Sequence, residues 1–152
     1  MKRIAIVLGL GVTLLAAGIA AATSPTLPAG KFTGTAAWRG GAGSAGTYTV
    51  ERTFDGNKMS ARFAWSEPKP REEKVAMTLA MKGSEPFFDV LDEKDKVVGK
   101  GYCYDEACSY HASYGPVSVD ETLRWSEGSL EVLGSKSGPG FSVVWKETLT
   151  SR

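Results

Sequence analysis

His111 is the only histidine of this 152-residue chain, and it stands between two serines in the run Cys108-Ser109-Tyr110-His111-Ala112-Ser113-Tyr114. Serine beside histidine suggests acyl transfer, in which imidazole takes the hydroxyl proton and a third group orients the ring. The spacing favours a plainer reading. Alternate residues of a strand share a face about 6.5 Å apart, so neighbours on one strand do not complete a triad by themselves. No Gly-x-Ser-x-Gly elbow surrounds any serine. Ser109, His111 and Ser113 therefore read as the polar face of a strand. A hydrolase is disfavoured, no catalytic residue is assigned, and the chain is expected not to be an enzyme.

Other chemistry-bearing groups are sparse. One histidine and two cysteines would need several carboxylates to hold a metal, so no metal and no cofactor is expected. Asp92, Glu93 and Asp95 lie in a lysine-rich turn without the Asp-x-Asp-x-Asp-Gly order of a calcium loop. Asp105 and Glu106 fall between the cysteines, and all five acids read as solvated turn residues. Cys103 and Cys108 form C-x4-C, not the C-x-x-C of a redox site. In an oxidising compartment they are expected to pair across a hairpin tip.

Arg52 is the charged residue in an unexpected place. It falls in phase with Tyr48, Val50 and Phe54 on an apolar face. An inward arginine can meet a ligand carboxylate through two parallel hydrogen bonds. The plainer alternative puts it at the rim, snorkelling to water. Met59, Phe63, Trp65, Met77, Trp125 and Trp145 also recur in phase on apolar faces, as do Met81, Leu123 and Phe141. Large aromatics and pliable methionines suit an apolar cavity, and they suit a solid core equally well.

The N-terminus speaks to location. Lys2 and Arg3 precede an uncharged, mostly apolar run from Ile4 to Ala22 that ends in three alanines. Basic head, apolar stretch and small residues at the cut are the layout of a signal peptide over residues 1–22, with a single membrane anchor as the alternative. Cleavage after Ala22 leaves 16 basic and 17 acidic residues and no basic stripe. Nucleic acid is thereby disfavoured as a partner, and the expectation is a secreted or periplasmic protein with no stable membrane insertion after cleavage.

The elements that position these residues follow a period of two. Residues 23–30 read as an arm kept out of the sheet by Pro25 and Pro28. From residue 31 to 152 a single domain is expected, built from short strands with turns between them. Tyr48, Val50 and Phe54 run to the turn Asp55-Gly56-Asn57, and Met59, Ala61, Phe63 and Trp65 return in matching phase. The same alternation recurs at Val75 to Met81, Phe87 to Leu91, Val119 to Trp125, and Phe141 to Leu149. Consecutive antiparallel pairing closes most simply as an all-β, up-and-down barrel of about eight strands, with a two-sheet sandwich as the alternative.

An exported domain of hairpin-linked strands with a tryptophan in the first one, Gly34-Thr35-Ala36-Ala37-Trp38, resembles the calycins, the small barrels that include lipocalins and avidins. The Gly-to-Trp spacing is two residues longer than the lipocalin Gly-x-Trp. The resemblance implies that Trp38 seals the closed end and that an apolar cavity holds a small hydrophobic molecule; the phase of Arg52 suggests, if the cavity is open, that it steadies the head group of an anionic amphiphilic one. The rival class is an inhibitor or envelope interaction module with a solid core, binding a protein partner through loops such as Gly40–Gly43, Ser66–Glu73 and Ser137–Gly140.

Overall fold

The computed structural model describes residues 26–152. The expected signal peptide and its cleavage point lie outside them. The described residues contain ten strands and no helix: β1 (Gly30–Gly40), β2 (Ala45–Asp55), β3 (Lys58–Trp65), β4 (Arg71–Met81), β5 (Phe87–Leu91), β6 (Val97–Tyr104), β7 (Ala107–Tyr114), β8 (Val117–Ser126), β9 (Ser129–Gly138) and β10 (Phe141–Ser151). Each pairs with the next antiparallel, and β1 also pairs with β10, so the sheet closes into a barrel. Closure leaves no edge strand and removes the sandwich alternative.

Ten strands rather than about eight is a correction with a simple cause. β1 and β6 are rich in glycine and alanine, including Gly34, Ala36, Ala37, Gly99 and Gly101. Small residues mute the alternation that marks a strand in sequence. Where large side chains alternate, the expected registers are observed. Phe54 faces Met59 and Val50 faces Phe63 across a turn in which Gly56 adopts φ 56°. That left-handed conformation costs glycine nothing.

The up-and-down path sorts the connections. Turns after β1, β3, β5, β7 and β9 gather at one end. Those after β2, β4, β6 and β8 gather at the other, together with Gly30 and Ser151. The second end is solid. Phe32, Phe54, Leu79, Phe88, Leu123, Leu130 and Leu149 pack there, each at most 4% exposed, and Leu27 of the arm joins them. Each such side chain contributes about 1.5–3 kcal/mol when fully buried. Cys103 and Cys108 are register partners in the same region and form a disulfide.

Candidate functional site

At the other end the barrel is hollow. A cavity of about 860 Å³ opens between the odd-numbered turns, within the ~300–1,000 Å³ usual for small-molecule sites. Seven of the eight residues expected to bind ligand line it: Tyr48, Arg52, Met59, Phe63, Trp65, Met77 and Trp145. Their shared inward phase on β2, β3, β4 and β10 is what brings them together. A hollow half of this size removes the solid core on which the interaction-module reading rested.

Two tryptophans depart from expectation. Trp125 points inward on β8, but it lies next to the β8–β9 turn at the solid end, where it packs on the core. It is not a cavity residue. Trp38 lies at the β1–β2 turn, lines the hollow end, and therefore does not seal the closed one. Its position follows from its place in β1, two residues before the strand ends at Gly40.

Glycines shape the wall. Trp38 pairs with Gly46 and Trp145 with Gly134. A Cβ on Gly46 would meet the Trp38 indole at 2.8 Å, and one on Gly134 would meet the Trp145 indole at 2.2 Å. Each indole thus covers the glycine opposite it. The Trp145 Nε1–H is buried and has no acceptor among the described residues. Tyr48, Phe63 and Trp65 form the adjoining wall, with ring centroids 5.2–6.1 Å apart. Arg71, at the mouth, sits 4.2 Å over the Trp65 ring.

The floor is polar and dry. Arg52 is 1% exposed and Glu147 0%, with Glu121 nearly as deep. Arg52 Nε donates to Glu147 Oε2 at 2.7 Å and Nη2 to Glu147 Oε1 at 2.9 Å. Nη2 and Nη1 donate to Glu121 Oε1 and Oε2 at 2.6 and 3.0 Å, and Nη1 also reaches Met59 Sδ at 3.7 Å. A guanidinium has five N–H groups, and all five are engaged. The Tyr48 hydroxyl donates to Glu147 Oε1 at 3.1 Å and the Tyr110 hydroxyl donates to Glu121 Oε2.

Electrostatics follow from this geometry. Burial alone would lower the Arg52 pKa, but the Glu121 and Glu147 charges outweigh it and hold the group well above its ordinary value. Burial, reinforced by Glu147, raises Tyr48. Burial, reinforced by Glu121, raises Tyr110 well above the usual phenol range. Both phenols are therefore neutral donors at physiological pH.

Arg52 does point inward, yet the anion-anchoring role expected of it does not fit. Two carboxylates of the same chain hold four of its five N–H groups and Met59 Sδ takes the fifth. Sequence reasoning missed Glu121, Glu147 and Tyr110. Glu121 and Glu147 are in phase with the core residues Leu123 and Leu149, and that phase was the available signal.

His111 lies on the outer face of the barrel. Its Nδ1 is 2.8 Å from Asp120 Oδ1, and its Nε2 is 3.2 Å from Ser113 Oγ. Asp120 is its register partner on β8, a cross-strand neighbour the sequence did not reveal. Ser109 instead contacts Thr122 Oγ1 at 2.9 Å. The His111 and Asp120 side chains are both more than half exposed.

No family model matches the sequence, and no curated protein matches it. Among solved structures the chain is similar to an S-type phycobiliprotein lyase of Guillardia theta. The TM-score is 0.65 at 9% identity, over 82% of this chain and 88% of that one. The likeness is one of fold, and the closed antiparallel barrel expected from the strand pattern stands at that level. It also corrects the expectation that the chain is not an enzyme. A protein with this architecture is a lyase, so a barrel of hairpin-linked strands is no ground for excluding catalysis.

Proposed function

We propose that this protein is exported and holds one small, largely apolar molecule in the open half of its barrel. The observation that carries the reading is a cavity walled by Trp38, Trp65, Trp145 and Phe63 over a buried polar floor. A few placed polar groups within an apolar concavity are the usual make-up of a ligand site. Met59 and Met77 add pliable surface next to the floor. The fold likeness to a lyase supports a barrel able to serve chemistry on a bound molecule, without naming that molecule. Export rests on the basic head, apolar run and alanine triplet of residues 1–22.

Filling the cavity tests the reading. Val119 lines the wall on β8 and Ala61 that on β3, and the double change Val119→Trp/Ala61→Trp should obstruct the space with two indoles. The expected result is loss of binding of a fluorescent apolar probe, with the circular dichroism spectrum unchanged. Native mass spectrometry of protein from its own host should find a small molecule on wild type and none on the variant. Failure of wild type to bind apolar probes, with nothing co-purifying, would remove the proposal.

A further inference from the structure

The floor of the cavity has a sign. Arg52 contributes one positive charge, Glu121 and Glu147 contribute two negative ones, and Tyr48 and Tyr110 contribute none. The sum with both carboxylates ionised is one net negative charge, in a place that solvent scarcely reaches. Excess buried charge is costly and salt screens it poorly, so a matching charge brought by a ligand is worth more there than at the surface.

We propose that the cavity selects compact organic cations, with an ammonium group seated against Glu121 and an apolar body between the tryptophans. This rests on the ligand-binding reading above. Of the two floor carboxylates, Glu121 is the one that lines the cavity. Its Oε2 accepts from Arg52 and Tyr110, whereas its Oε1 accepts from Arg52 Nη2 alone. A carboxylate oxygen has two lone pairs, so Oε1 retains a place for an ammonium N–H.

The wall independently points to the same class. Aromatic faces attract cations through the negative face of the ring. Arg52, at 5.7 Å from the Phe63 centroid, and Arg71, at 4.2 Å from that of Trp65, already occupy those two rings, so the rings offered to a ligand cation are Trp38 and Trp145, each backed by a glycine and lining the cavity. The mouth does not contradict the floor. Arg71, Lys74, Lys94 and Lys136 outnumber Glu73, Asp92 and Glu93 there by one charge; all but the half-buried Lys136 and Asp92 are exposed, where charges are largely screened beyond about 8 Å at physiological salt.

Three probes of one shape decide the matter: phenylbutylammonium, phenylbutanol and phenylbutyrate, titrated into wild-type protein at neutral pH by calorimetry and tryptophan fluorescence. The cation should bind at least about tenfold more tightly than the alcohol, and the carboxylate should bind most weakly. Glu121→Gln keeps the shape and removes the charge. It should bring the cation down to the affinity of the alcohol and leave the alcohol within about twofold of wild type. Equal binding of cation and alcohol to wild type, or a preference for the carboxylate, overturns the selectivity while leaving the cavity a ligand site. Binding of none of the three overturns the ligand-binding reading and the selectivity with it. The wild-type series stands by itself if Glu121→Gln does not fold.

Discussion

Arg52 is held by opposite charges on both sides, and removing it exposes the cost of that arrangement. Arg52→Met keeps most of the bulk but leaves Glu121 and Glu147 facing each other in a dry interior. Breaking a buried ion pair in this way costs about 3–5 kcal/mol. Urea denaturation should show a loss of that size. Adding Glu121→Leu and Glu147→Leu should recover most of it, because replacing a whole buried ionic group with apolar residues is often neutral or better. The tyrosines are expected to act at alkaline pH. Their folded pKa values lie above the unfolded one. Their contribution to stability is therefore fully present below about pH 10, the unfolded phenol value, and is lost as pH rises toward the folded values. Alkaline unfolding should be steep above that pH in wild type. It should flatten in Tyr110→Phe, which has no phenol to ionise; an unchanged profile would exclude Tyr110 as a source.

At the scale of the element, the pairing of bulky rings with glycine decides the shape of the wall. Trp38 with Gly46 and Trp145 with Gly134 are register partners on neighbouring strands, and Phe88 lies over Gly101 in the same manner on the solid side. Gly134→Ala places a methyl where the Trp145 indole lies. The ring must then swing into the cavity or the strands must part, at about 1–3 kcal/mol for such overpacking. The expected readout is a shifted tryptophan emission spectrum together with weaker probe binding. The β6–β7 hairpin is tied by the Cys103–Cys108 disulfide. Its closed loop is short, and loss of the bond in Cys103→Ala/Cys108→Ala should cost about 2 kcal/mol on the loop-entropy account, seen as a lower thermal midpoint.

Over the whole molecule, the barrel divides into a packed end and a hollow one. Leu79, Val90, Val132 and Leu149 are 0% exposed, whereas residues at the mouth such as Trp65, Val117 and Val143 remain partly open. Closure through β1 and β10 ties both ends into one sheet, yet the two should not open equally. Local opening is easiest where apolar contacts are few. Amide hydrogen exchange should be slowest at Leu79, Val90, Leu130 and Leu149 and faster toward the turns after β3, β7 and β9. A cavity ligand should slow exchange at those turns and leave the packed end almost unchanged. Uniform exchange along each strand would contradict a hollow end.

The sequence by itself determined the strand period, the facing of Tyr48, Val50, Phe63 and Trp65 across the Gly56 turn, and the inward phase of Arg52. Those features are local: side chains alternate along a strand, and a tight turn sets the register of its own hairpin. It did not determine the count of ten strands, because glycine-rich β1 and β6 carry little alternation. Nor did it place Trp38 and Trp125 at opposite ends of the barrel, since phase tells the face of a strand and not its depth. Glu121 and Glu147 lie 69 and 95 residues from Arg52 in the chain, and no spacing rule connects them. Only barrel closure brings β2, β8 and β10 around one interior. That closure turned an arginine that looked free for an anion into one saturated by its own chain, at the base of an aromatic cavity.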